Sequence, residues 1–134
     1  MTTPSNQLFK QGQELAQHLF GNTRGDVADT LMLSGDDELP ETLVTWLYGY
    51  LLKERSQLDV KTKLLCLIAM YTATNQDEMI RRWIPAARNA GCTRLELQET
   101  MVTMLVYAGW PAARRALEIL ASEWTLSTAT ESTP

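Results

Sequence analysis

The chain has 134 residues, of which 45% are apolar and 21% charged. This size and composition are typical of one globular domain with its own hydrophobic core. The net charge of −4 gives no electrostatic reason to expect a nucleic-acid partner, because phosphate binding requires a concentrated basic surface. The charge is uneven, since residues 1–60 carry four Lys or Arg against nine Asp or Glu.

The sequence also indicates a location. No apolar run approaches the roughly 18 residues of a membrane span, and the start, MTTPSNQLFKQGQ, lacks the apolar centre of a signal peptide. Cys66 and Cys92 are far apart in the sequence, so both are predicted to be free, buried thiols of a reducing compartment. We therefore expect a cytoplasmic protein without membrane contacts. With a single histidine, His18, it is predicted to hold no metal.

Apolar residues recur at helical spacing along most of the chain. The predicted helices cover residues 6–20, 26–33, 40 to 53 or 55, 60–74, 75–90, 93–108 and 111–124. Pro40 suits a first helical turn, where no backbone N–H is needed. Thr93 and Glu96 form a capping box, in which each side chain satisfies a free backbone N–H of the other. Arg114 and Glu118 are predicted to pair across one helical turn.

The segment from Leu64 to Tyr71 is apolar on every face. A helix without a polar face has to be covered on all sides. We therefore expect this helix either at the centre of a bundle or in a subunit interface.

No segment alternates in the way a strand does, so the predicted class is all-α. We expect a compact bundle of about six to seven helices in a single domain, residues 1–134. The polar ends, residues 1–5 and 125–134, are predicted to be loose tails.

Three motifs support a more specific hypothesis. They are LDVKTK at 58–63, NAGCT at 89–93 and VYAGWPAA at 106–113, preceded by the aromatic-glycine stretch WLYG at 46–49. In this order and spacing they resemble the carboxymuconolactone decarboxylase family, over a core of residues 40–124. The resemblance implies an alkylhydroperoxidase D-like helical subunit that assembles into a homo-oligomer, a trimer or a hexamer.

One branch of that family, similar to alkylhydroperoxidase D, uses a Cys-x-x-Cys centre with a nearby Glu and His. The positions that correspond to these four residues hold Leu64, Gln76, Met79 and Trp83. A peroxidatic site requires a thiolate and a resolving thiol within reach. The chain is therefore not expected to be a dithiol peroxidase.

The other branch decarboxylates a muconolactone without a cofactor. By resemblance, its histidine position holds Trp83, and a carboxylate common after the upstream glycine falls on Tyr50. We take Tyr50 and Trp83 as the candidate catalytic positions, although imidazole and carboxylate would be the usual proton carriers. The candidate substrate-binding residues are Trp46, Arg81, Arg82 and Tyr107. The aromatic side chains would form the walls of a pocket, and the arginines would bind an anionic group of the substrate.

The leading hypothesis is a cofactor-independent lyase or decarboxylase that acts on a small organic acid or lactone. A first alternative is a non-catalytic oligomeric binding or scaffold protein, in which the aromatic side chains are packing and the arginines are solvated. A second alternative is an antioxidant protein that uses a single thiol, Cys66 or Cys92.

Overall fold

The computed structural model describes residues 4–27 and 33–132, and it contains helices and no strand within those ranges. The predicted all-α class is confirmed. The elements are α1 (Pro4–Phe20), a 3-10 turn (Gly25–Val27), α2 (Glu38–Leu43), a π-helix (Val44–Glu54), α3 (Val60–Ala73), α4 (Asp77–Asn89), α5 (Arg94–Thr103), α6 (Leu105–Ala108) and α7 (Trp110–Ser132). Among the described helices, none combines the length and apolarity that crossing a membrane requires.

The chain divides into two compact units, residues 1–60 and 61–134. The single domain expected from the sequence stays a prediction. In the first unit, α1 packs against the π-helix. In the second unit, α7 packs against α4, α5 and α6.

Two glycines allow the backbones of α1 and the π-helix to touch. A Cβ atom on Gly49 would lie 2.0 Å from the carbonyl oxygen of Leu8. A Cβ atom on Gly12 would lie 2.4 Å from the carbonyl oxygen of Val44. Both distances are far below a van der Waals contact, so only glycine fits at either position.

Tyr48 ties the loop after α1 to the π-helix. Its side chain is fully buried, its hydroxyl accepts the Asp26 backbone N–H at 2.9 Å, and it donates to the Asp26 carboxylate. Gly25 lies against the Tyr48 hydroxyl and ring with φ +63°, where a side chain would collide with both. Asp26 therefore belongs to a 3-10 turn, and most of the helix predicted from it to residue 33 falls on residues 28–32, outside the described residues.

The helix predicted from Pro40 begins at Glu38, with Pro40 in its first turn, and changes its hydrogen-bond pattern at Val44. At its end, the backbone N–H of Arg55 donates to the carbonyl of Tyr50, five residues back, at 3.0 Å. Long π-helical runs are rare, and wide turns of this kind are frequent at functional sites.

In the second unit, α4 and α7 are joined by burial and by two charged contacts. The α4 side chains that are at most 1% exposed are Ile80, Trp83, Ile84, Ala86 and Ala87. The Arg115 guanidinium donates to the Asp77 carboxylate. The guanidinium of Arg88 lies 5.1 Å from the ring centroid of Trp124.

Two boundaries in the second unit differ from the sequence prediction. Helix α7 continues to Ser132 rather than ending near Trp124, so residues 125–132 of the expected tail are helical. The helix expected over 93–108 is interrupted at Met104, between α5 and α6. The predicted pair of Arg114 and Glu118 is present on α7, with 3.0 Å between Nε and Oε1.

The expectation that α3 is covered on all sides does not hold within the single chain. Only Leu64, Ile68 and Thr72 are buried, and they form one stripe because residues four apart share a helix face. Cys66 is exposed, and Met70 is 49% exposed. The alternative, that this helix lies in a subunit interface, remains a prediction.

The capping box at the start of α5 is confirmed. The Glu96 N–H donates to Thr93 Oγ1 at 3.0 Å, and the Thr93 N–H donates to Glu96 Oε1 at 2.9 Å. Lys61 Nζ lies 2.9 Å from the other Glu96 oxygen. These contacts, that of Lys61 first and the backbone N–H of Thr93 second, lower the pKa of Glu96 below its ordinary value of 4.5.

The glycine contact predicts a large loss of stability for Gly49→Ala. Alanine favours a helix by about 1 kcal/mol over glycine, but overpacking against a backbone carbonyl costs about 3 kcal/mol. The cost of the clash is larger, so the variant should be less stable than the wild type. Urea unfolding followed by circular dichroism measures the difference. Lys53→Ala, on the exposed face of the same helix, is the control, and an unchanged midpoint for Gly49→Ala would contradict the contact.

The lowered pKa of Glu96 predicts a pH-dependent effect of Glu96→Gln. A carboxyl group whose pKa is lower in the folded state stabilises the fold above its ordinary pKa of 4.5. That contribution disappears as the pH falls through the lowered value. The wild type should therefore be more stable than Glu96→Gln at pH 7, and the gap should close in acid. Unfolding at several pH values measures this gap, with Glu99→Gln on the same helix as the control. A gap that is independent of pH would refute the assignment.

Candidate functional site

A cavity of about 430 Å³ opens in the first unit, between α1 and the helix formed by α2 and the π-helix. It contains two of the residues predicted for the site, Trp46 and Tyr50. Its lining consists of Asn6, Leu8, Phe9, Glu38, Glu41, Thr42, Thr45, Trp46 and Tyr50.

The local sequence explains why these side chains meet. Along α2 and the π-helix the lining residues recur at intervals of three to four, which places them on one face. The hydroxyls of Thr42 and Thr45 donate to the carbonyls of Glu38 and Glu41, each at 2.8 Å. These hydroxyls are therefore engaged by the helix itself, and the carboxylates supply the charge of this wall.

Tyr50 has a cation beside it. Nη1 of Arg55 donates to the Tyr50 hydroxyl oxygen at 3.3 Å, and the guanidinium carbon lies 5.9 Å from the ring centroid. A phenol that accepts a hydrogen bond keeps its own proton to donate. The Tyr50 hydroxyl can therefore act as a donor to a bound ligand.

Trp83 lies in the interior of the second unit. Its side chain is 1% exposed and belongs to the buried face of α4. This burial supports the alternative that Trp83 is a packing residue.

The remaining predicted residues are at the surface of the second unit. Arg81 and Arg82 both approach the exposed carboxylate of Glu78, at 4.0 Å and 3.5 Å. Exposed pairs of this kind contribute little to stability, and they agree with the alternative that these arginines are solvated. Tyr107 is fully exposed on α6, so it forms no wall of an enclosed cavity in this chain.

Comparison with known proteins identifies the family. The carboxymuconolactone decarboxylase family matches the chain over residues 38–122. The chain belongs to this family. It is also 30% identical over 128 residues to an uncharacterized 15.0 kDa protein in the nqo9-nqo10 intergenic region of Paracoccus denitrificans. That alignment covers 91% of this chain and 94% of the relative.

The family match begins at residue 38, so it includes one wall of the cavity and not the other. Leu8 and Phe9, which α1 contributes, precede the matched range. Sequence reasoning missed Phe9, Glu38, Glu41 and Arg55 as site residues. The helical spacing of Glu38 to Glu41 and Thr45 was a signal that could have indicated a shared face.

The cysteines of this family member divide into two kinds. Cys92 is 4% exposed, with Sγ 3.8 Å from the carbonyl oxygen of Lys61. Cys66 is exposed, so the prediction that it is buried is wrong. It follows the buried Leu64 by two residues, which is about 200° around the helix, and it therefore points away from the buried stripe.

In the part of the chain that the structure describes, no group of three His, Cys, Asp or Glu residues could hold a metal ion.

The difference in burial predicts that one thiol reacts in the native protein. Cys66 should react with Ellman's reagent at the rate of an exposed thiol, whereas Cys92 should react only after denaturation, because burial blocks access. Cys66→Ser should abolish the native reaction, and Cys92→Ser should leave it intact. Native protein without a reactive thiol would refute the exposure of Cys66 and would also remove the single-thiol antioxidant hypothesis.

Proposed function

We propose that the protein is a cofactor-independent lyase that acts on a small organic acid or lactone in the cavity between α1 and the π-helix. One observation carries the proposal. Trp46 and Tyr50 line a wall of the cavity that also bears the carboxylates of Glu38 and Glu41. Aromatic walls with a few polar groups are typical of small-molecule sites.

The lining supplies the groups that such a reaction requires. Loss of CO₂ from a β-keto acid breaks a C–C bond and leaves its electron pair as an enolate. The Tyr50 hydroxyl donates to the enolate oxygen, and the adjacent Arg55 cation favours the negative charge. The enolate carbon then takes its proton from solvent, since the cavity is open.

With a lactone as substrate, proton removal by a carboxylate comes first. A carboxylate, that of Glu41 or Glu38, removes the proton next to the lactone carbonyl, and the electron pair moves to the carbonyl oxygen. The Tyr50 hydroxyl again stabilises the enolate. When the carbonyl re-forms, a C=C bond forms, a group on the next carbon leaves with its bonding electrons, and that group takes the proton back from the carboxyl group, which completes a lyase reaction. The two negative charges of the wall repel a carboxylate and have no such effect on a neutral ring, so they favour the lactone.

Assembly into a homo-oligomer forms part of this proposal. The second unit exposes large apolar side chains, among them Met70, Val106, Tyr107 and Trp110. Exposed apolar side chains of this kind support a subunit interface.

A second candidate function is binding without turnover. Trp83, at the position where the family resemblance expects a histidine, is a buried side chain that carries no proton. A family member without this imidazole is consistent with a fold that retains a ligand and performs no chemistry on it.

Turnover of β-keto acids and lactones by Tyr50→Phe tests the lyase. Removing one oxyanion donor should lower kcat by about 100-fold, while Lys53→Ala, on the exposed face of the same helix, serves as the control. Trp83→Ala is a poor variant for this purpose, because truncating a buried tryptophan costs about 3–5 kcal/mol of stability. If the wild type turns over no compound of either class, the binding function replaces the lyase.

A further inference from the structure

We infer that the ligand of the cavity between α1 and the π-helix carries a positively charged nitrogen. The inference rests on the proposed function only in taking this cavity as the site. It narrows the substrate class to a lactone or a zwitterionic acid that bears a protonated amine or a quaternary ammonium group.

The charge of the lining is the first argument. Glu38 and Glu41 are its charged side chains, and no Lys, Arg or His belongs to it. Within the described residues, neither carboxylate forms an ion pair, whereas nearby Asp37 is paired with Arg24 at 3.1 Å. Both carboxylates are therefore available to a ligand. The charged side chains of the lining favour a cation over an anion, and Arg55, which donates to the Tyr50 hydroxyl, lies outside the lining.

The aromatic side chains are the second argument. Trp46 is 54% exposed and lines the cavity together with Phe9 and Tyr50. The faces of aromatic rings attract cations, most strongly in tryptophan. The Arg55 guanidinium already lies 5.9 Å from the Tyr50 ring centroid, so a ligand cation would meet Trp46 and Phe9 rather than Tyr50. Aromatic faces next to carboxylates are the combination that recognises organic ammonium groups.

The overall charge of the first unit also favours a cationic ligand. Residues 1–60 contain nine Asp or Glu against four Lys or Arg. An excess of one sign raises the local concentration of the opposite ion, over a distance of about 10 Å at 0.1 M salt. The charge around the cavity and the charge of its wall therefore select the same class of ligand.

Three small compounds that share a phenyl ring and differ in charge separate charge from shape. They are benzyltrimethylammonium, benzyl alcohol and benzoate, and isothermal titration calorimetry measures their affinities. The cation should bind most tightly and benzoate most weakly. Glu41→Gln and Glu38→Gln should each weaken the binding of the cation by about two- to fivefold and leave benzyl alcohol unchanged. Glu99→Gln, in the second unit, is the matched control.

Tryptophan fluorescence locates the binding. The cation should change the emission of the wild type, and Trp46→Phe should remove this change and weaken binding by about two- to fivefold. Benzoate binding as tightly as the cation, a cation affinity that both Gln variants leave unchanged, or no cation binding at millimolar concentration would each overturn the inference.

The two proposals fail separately. Cation binding without turnover of any substrate removes the lyase and leaves the ligand class in place. If the protein turns over an anionic acid and does not prefer the cation, the lyase proposal stands and the proposed ligand class is wrong.

Discussion

The contact between Gly12 and Gly49 is the constraint on which the first unit depends. It lets two helix backbones meet with no side chain between them, since a Cβ on either glycine would overlap a carbonyl oxygen. Leu8 and Phe9 of α1 line the cavity together with Trp46 and the acidic side chains. A wider separation of the helices would change the volume and the lining of that cavity at once. The Gln11 amide, which donates to the Gly49 carbonyl at 3.2 Å and to Glu54 at 2.9 Å, adds polar contacts beside the glycines.

The chain matches the family over a range that includes one wall of the cavity, yet it lacks the ionisable groups of the dithiol branch. The matched range, residues 38–122, includes the capping box and the Gly109 bend that precedes α7. The positions at which the family resemblance expects catalytic groups hold Leu64, Gln76, Met79 and Trp83. Leu64 and Trp83 are buried apolar side chains, so these positions contribute to packing. The ionisable groups of the cavity lie instead along α2 and the π-helix.

The sequence predicted the helical class and most helix boundaries because apolar periodicity and caps are local signals. The box at Thr93 and Glu96 and the pair of Arg114 and Glu118 follow from spacing alone, and both are present. The π-helix could not be predicted, because a change from i→i+4 to i→i+5 bonding leaves no clear mark on composition. Cys66 was misassigned because a helix that is apolar all round does not reveal which stripe is buried. Trp46 and Tyr50 were expected in one site and share a cavity, whereas Phe9 depends on a tertiary contact that no local pattern encodes.

The π-helix has a consequence for how this segment can change. Gly12 faces the carbonyl oxygen of Val44 and the backbone nitrogen of Gly49 together, since a Cβ there would lie 2.4 Å and 3.0 Å from them. Residues five apart share a face of a π-helix, but in an α-helix they are about 140° apart. Deleting one residue from the wide turns would therefore move Gly49 away from α1 even though the glycine itself is retained. The length of this segment, its Gly49 and Gly12 of α1 are therefore required together for the contact between the two backbones.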